Sequence, residues 1–201
     1  LQKSEEEAKF NRQLNEITSR MRETLDPQQI YKATLKGTRD ALGVDRTIVY
    51  LFDENWKGTI VAESVAPGFP IALGAQIADP CFAQNYVEKY RKGRVQATAN
   101  IHEAGLTECY LEQLEPFQVK ANLVVPILVE ETLLGLLIAH QCSAPRQWQE
   151  GEINFFQQVA TQLGFALEQA QLFTQREQAR FAAEALSQEQ QQQTQGLQMQ
   201  L

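Results

Sequence analysis

From Trp148 to about Gln195 the chain contains no proline, and its only glycines are Gly151 and Gly164, so the conformation open to it is one very long helix. Phe156, Ala160, Leu163, Leu167 and Ala170 recur at helical spacing and give the first half of that helix a face to bury. After Phe173 the stripe thins to Phe181, Ala185 and Leu186. The run SQEQQQQTQ has no apolar face at all and reads as a solvated or dimeric linker. A helix with only half a buried face needs a body to pack on, and the preceding residues must supply it. Residues 3–24 add a second stripe, Phe10, Leu14, Ile17 and Met21, so the two end helices are expected to lie side by side.

The body between them is α+β in pattern. Asp26 followed by Pro27 is a helix start, an N-cap and then the interior position that proline favours, and Gly43 closes that helix. From Arg46 the residues become β-branched and aromatic. RTIVYLF, the turn DENWKG and TIVAESV predict a strand, a hairpin loop and its antiparallel neighbour. SVAPGFPIALGAQI, broken by proline and glycine, predicts a loop along the edge of the fold, of the length that often covers a site. A helix is expected from Asp79 and Pro80 to Lys92, closed by Gly93, with RVQAT as a short strand beyond it. A further helix is expected after Thr107, which can cap it while Leu106 staples onto Leu111. ANLVVPILVEETLLGLLIAHQC then gives two strands joined by an acidic turn. The expected architecture is a central antiparallel sheet with helices on one face and a ligand pocket on the other. Its divisions are an N-terminal linker helix over 1–25, the ligand-binding domain over 26–172 and a C-terminal signalling helix over 173–201.

Charge and composition narrow the function. With 201 residues and 43% hydrophobic content the chain can build its own core, and a net charge of −7 argues against nucleic acid as a partner. The longest apolar run, around Leu133 to Ala139, is far short of the roughly 20 residues of a membrane span, so direct membrane insertion is not expected. Three widely spaced cysteines, Cys81, Cys109 and Cys142, fit neither a secreted disulfide framework nor a Cys-x-x-Cys metal site, which points to a reducing cytoplasm. The chain opens on Leu and stops just beyond a glutamine run, so it is expected to be a fragment whose output region lies elsewhere.

If Asp79 and Thr107 are caps, Cys81 and Cys109 both fall at the second helical position. Backbone N–H groups and the helix dipole there favour the thiolate, the nucleophilic form of cysteine. Asp79 works against a second negative charge at Cys81, so a reversible thiol is expected there. The plainer alternative, that Pro80 and Asp79 only start a helix and Cys81 only fills space, remains open. His140 ends the strand LLGLLIAH, where strict alternation places it on one face with Leu134, Leu136 and Ile138, either as a satisfied core histidine or as a ligand contact. Lys89, Arg91, Lys92 and Arg94 surround Tyr90 near a helix C-terminus, complementing its dipole or meeting a ligand's carboxylates. His102 and His140 are the only histidines and sit in no nucleophile setting, which disfavours a Cys-His-Asp hydrolase; no paired ligand spacing suggests a metal.

Asp79-Pro80-Cys81-Phe82, together with NYVEKYRKGRVQA, AGLTECYLEQLEPFQVKANLVVPI and LLGLLIAHQCSAPRQW, resembles the bilin-binding GAF domains of cyanobacteriochromes, relatives of phytochromes. The likeness is to the Asp-Xaa-Cys-Phe subgroup and its PixJ-type phototaxis receptors, and it covers most of residues 26–172. The resemblance implies a photoreceptor rather than an enzyme, its only chemistry being autocatalytic attachment and isomerisation of its own chromophore. The cofactor would be a linear tetrapyrrole, phycocyanobilin, isomerised to phycoviolobilin. Cys109 would hold ring A by a thioether. Cys81 would add reversibly to the central methine and shorten the conjugation, giving a blue-absorbing state that light converts to a green- or teal-absorbing one. Asp79 would contact the pyrrole nitrogens, His140 would contact ring D, Lys89, Tyr90 and Arg94 would lie near the propionates, and Phe82 would wall the pocket. Tyr110 stands where the wider family commonly has histidine; it retains stacking and a hydrogen-bond donor, with less capacity for proton exchange near neutral pH. Cys142 matches no bilin-linking position. The resemblance further implies a homodimer through the terminal helices and a methyl-accepting chemotaxis output in a membrane-anchored receptor. A small-molecule-binding GAF module with incidental thiols, or a redox sensor pairing Cys81 with Cys109, are the competing functions.

Overall fold

A computed structural model of the chain describes residues 1–77 and 86–199. Helices α1 (Gln2–Arg22) and α2 (Pro27–Leu42) precede strands β1 (Arg46–Phe52), β2 (Gly58–Val65) and β3 (Gln76–Ile77). A short helix α3 (Val87–Arg91) leads to β4 (Gln96–Thr98). After it come helix α4 (Glu108–Leu114), a 3₁₀ turn (Glu115–Phe117), β5 (Ala121–Val129), β6 (Thr132–Gln141) and the terminal helix α5 (Glu150–Gln198). The six strands form one antiparallel sheet in the order β3-β2-β1-β6-β5-β4.

Local chemistry accounts for the helix ends. The Asp26 side chain accepts from the Gln28 N–H, Pro27 occupies the first helical position, and Gly43 ends α2 with φ 64°, a conformation glycine adopts without steric cost. Gln149 and Glu152 form a reciprocal capping box at the start of α5. Arg146 fastens that start to the end of α2: its Nη2 donates to Leu42 O at 2.6 Å and it pairs with Glu152.

The sheet separates two apolar layers by its period of two. Val49, Leu123, Val125, Leu137 and Ala139 face α1, α2 and α5, where they pack with Ile17, Met21, Ile30, Leu35, Phe155, Phe156, Val159 and Leu163. Ile48, Tyr50, Val124, Leu136 and Ile138 face the other way. The expected plan of helices on one face and a pocket on the other is therefore the observed one. Phe10 stacks on Phe155 at 5.0 Å between ring centroids, so the end helices do lie side by side. Gly164 permits the tight seating of α5 on the sheet, since a Cβ there would stand 2.8 Å from the Leu128 carbonyl oxygen.

Three local expectations need correction. The loop after β2 ends in a two-residue strand, β3, because Gly58 and Thr59 present a free edge with which Gln76 and Ile77 pair. Leu134 does not share a face with His140: the β5–β6 register shifts between Ile127 and Leu128, and the extra residue turns Leu134 toward the helical layer. Of the helix expected over 79–92, the described part is Val87–Arg91, and Gly93 follows it with φ 92°.

Candidate functional site

On the face away from α1, α2 and α5 the sheet, α3 and α4 enclose a cavity of about 280 Å³. Its floor is Ile48, Tyr50, Ile60, Val124, Leu136 and Ile138, and its polar wall includes Asn122, His140, Tyr86, Tyr90, Arg94, Gln96 and Tyr110. Cys109 also lines it. Roomier grooves of about 470 Å³ beside α1 and α5 and about 600 Å³ beside Arg146 contain no thiol or histidine. A largely apolar concavity with few convergent polar groups is the usual form of a ligand site.

Cys109 is positioned as the sequence predicts. The Thr107 hydroxyl accepts from the Tyr110 N–H at 3.3 Å and caps α4, which puts Cys109 at its second position, exposed, with Gln113 Nε2 at 4.0 Å from its sulfur. Cys142 is buried, contacted by Arg46 and the Phe117 carbonyl, and lies away from the cavity wall. The Tyr110 hydroxyl accepts from Asn122 Nδ2 at 3.2 Å. The Asn122 Oδ1 is buried without a hydrogen-bond partner among the described residues, an acceptor that an occupant's N–H would satisfy.

Arg94 lies over the rings of Tyr86 at 4.7 Å and Tyr90 at 5.5 Å and has no ion-pair partner among the described residues, so its charge is available to an anion. Tyr90 is buried, its hydroxyl donates to Gln96 Oε1 at 3.3 Å, and burial raises its pKa, keeping the phenol neutral. Lys89 is not part of the cavity wall. Consecutive helical residues point about 100° apart, so turning Tyr90 inward turns Lys89 outward, where its ammonium sits 5.5 Å from the Tyr86 ring. Asp79, Cys81 and Phe82 lie outside the described residues.

His140 is buried, partnered at one ring nitrogen, and on the cavity wall. Arg46 Nη1 stands 3.2 Å from its Nδ1. Burial, and then the Arg46 charge, push the imidazole pKa down to about 3. The unfolded chain, with its histidine near 6.5, binds the extra proton between these values, so this contribution is complete above about pH 6.5 and is lost as pH falls toward 3. The expected result is that His140→Gln flattens the dependence of unfolding free energy on pH between pH 6 and 4 by about 1.4 kcal/mol per unit. Urea titrations at several pH values measure it; parallel slopes in the two proteins would refute it.

Sequence reasoning missed Arg46, Glu63 and Asn122. Arg46 and Glu63 form a buried ion pair, with Nε 3.1 Å from Glu63 Oε2, and the side chains are 0% and 3% exposed. The available signal was a charged residue opening the apolar run RTIVYLF and another inside TIVAESV.

With that geometry in place, comparison with known proteins defines the class. Residues 26–167 match the GAF domain family model. The crystal structure of the blue-light absorbing form of the Thermosynechococcus elongatus PixJ GAF domain is 51% identical, with TM-score 0.72, over 77% of this chain and 92% of that one. The green light-absorbing state of TePixJ, an active cyanobacteriochrome domain, is also 51% identical, with TM-score 0.71, over 77% and 93%. The chain belongs to the GAF domain family and, within it, to the cyanobacteriochrome GAF domains of PixJ type. A putative methyl-accepting chemotaxis protein of Synechocystis sp. is 52% identical over 87% of this chain, which spans only 18% of that relative's length. Among the described residues no helix is long and apolar enough to cross a membrane.

Proposed function

We propose that the chain is a photosensory domain that holds a linear tetrapyrrole covalently on Cys109, in the cavity between the sheet and α3–α4. The observation that carries this reading is the exposed thiol at the mouth of an apolar cavity whose polar wall bears a guanidinium, Arg94, with no ion-pair partner among the described residues, and a neutral imidazole, His140. These groups suit an elongated, mostly apolar molecule with propionates and lactam carbonyls, and Asn122 Oδ1, without a partner among the described residues, adds an acceptor for an N–H. When bound, the tetrapyrrole supplies light absorption and a double bond that isomerises.

The protein's part is positioning. Cys109 provides the sulfur for the thioether. Arg94, fixed on two tyrosine rings, pairs with a propionate. His140 and Tyr110 donate to polar ring substituents, and the apolar floor excludes water. In finer terms, the chromophore is phycocyanobilin, isomerised to phycoviolobilin with Asp79 assisting. Cys81 adds reversibly to its central methine, Phe82 closes the pocket, and the states absorb blue and green-to-teal light. The blue-light- and green-light-absorbing descriptions of the PixJ relatives support the colours assigned to the two states. No reaction on an external substrate is proposed. A chemotaxis-type output, supported by the chemotaxis relative, together with dimeric packing of α1 and α5 in a membrane-anchored phototaxis receptor, completes the reading.

The test is a light-minus-dark difference spectrum of the chain produced with phycocyanobilin synthesis, followed by acid denaturation. A blue-to-green difference with pigment retained on the denatured chain is expected. A colourless chain would overturn the proposal.

A further inference from the structure

Arg46 is the first residue of β1 and is fully buried, yet it touches three separate parts of the molecule. Its Nη1 lies 3.0 Å from Phe117 O, in the turn after the Cys109 helix, 3.2 Å from His140 Nδ1 on β6 and 3.4 Å from Cys142 Sγ. Nη2 donates to Pro70 O in the loop after β2. Nε faces Glu63, whose carboxylate also accepts from the N–H groups of Ala72 at 2.8 Å and Leu73 at 3.3 Å in that same loop. Register explains the convergence: Arg46, His140 and Asn122 are direct cross-strand partners on β1, β6 and β5.

The chemistry of this arrangement is one-directional. A guanidinium has donors and no acceptor and does not lose its proton, so the atom it meets on an imidazole must be the bare nitrogen. Nδ1 of His140 therefore accepts, and the ring proton resides on Nε2. We propose that Arg46 is a positioning residue for the cavity: by donating to Nδ1 it holds His140 as the Nε2–H tautomer, so that the ring offers an occupant a hydrogen-bond donor and never an acceptor. This specifies a carbonyl or other acceptor on the occupant at that point. It deepens the photosensory reading and rests on that reading for what the occupant is, though not for the tautomer.

The test is a two-bond ¹H–¹⁵N correlation spectrum of the histidine rings, recorded on the full chain without pigment. His102 and His140 are the only histidines, and H140Q assigns them. The wild-type chain is expected to show His140 as a single Nε2–H tautomer. R46M removes the donor and should raise the Nδ1–H form from undetected to a substantial share, whereas R46K, which retains a donor without an acceptor, should preserve the wild-type pattern. An Nδ1–H pattern in the wild type, or an unchanged pattern in folded R46M, would overturn the proposal. If R46M does not fold, the wild-type and R46K spectra decide. Because the measurement needs no pigment, a colourless chain with the expected spectra removes the photosensory reading and leaves the role of Arg46 standing.

Discussion

Replacing Cys109 by serine is expected to abolish acid-resistant colour completely in chain produced with phycocyanobilin. A serine hydroxyl at the second position of α4 has the same place on the cavity wall but not the nucleophilicity of sulfur, so attachment fails although the fold stands. Two companion variants make the result specific. Cys142→Ser should keep its pigment, because that thiol is buried against Arg46 and Phe117 and lies away from the cavity. Cys81→Ala should also keep its pigment while losing the blue-absorbing state. Colour retained by Cys109→Ser after acid denaturation would mean that the anchor is another residue.

The second large effect concerns stability. Phe156 on α5 is 0% exposed and lies in the layer between that helix and the sheet. Truncation to alanine is expected to cost about 3–5 kcal/mol, since both the transfer energy and the cavity left behind count against the fold. With a slope of roughly 2 kcal/mol per molar, the urea midpoint should fall by about 2 M. Phe165→Ala on the same helix is the control. That ring is 49% exposed, and its loss should fall within about 0.5 kcal/mol of the wild type. Equal shifts in the two variants would mean that α5 is not anchored through Phe156.

What was legible in the sequence was local. Asp26 with Pro27, Gly43 and Thr107 each act on backbone groups within four residues, so their spacing alone locates the helix ends and puts Cys109 on the second turn position of α4. Hydrophobic periodicity likewise separated the stripe on α5 from its solvated continuation. What failed depended on partners far along the chain. Strict alternation assumed an unbroken ladder, and one shift between Ile127 and Leu128 was enough to turn Leu134 to the other face. Lys89 looked equivalent to Tyr90 until packing fixed which side of α3 faces inward. Arg46 was the largest omission, because its importance lies in registers that pair residues 94 positions apart, and a charge at the head of an apolar run does not name its partners.

The last buried residue of α5 is Ala170, and the helix continues without a break to Gln198. At about 1.5 Å per residue the free part is a rod of roughly 40 Å, longer than the sheet strands are tall. A tilt of only ~5° at its root sweeps the far end through ~4 Å, comparable with a full turn of helix at ~5.4 Å. A displacement of a few tenths of an ångström where Gly164 seats on the Leu128 carbonyl would therefore be magnified at the far end of the helix. Adding a methyl group at Gly164 would crowd that carbonyl and shift the base from which the arm projects.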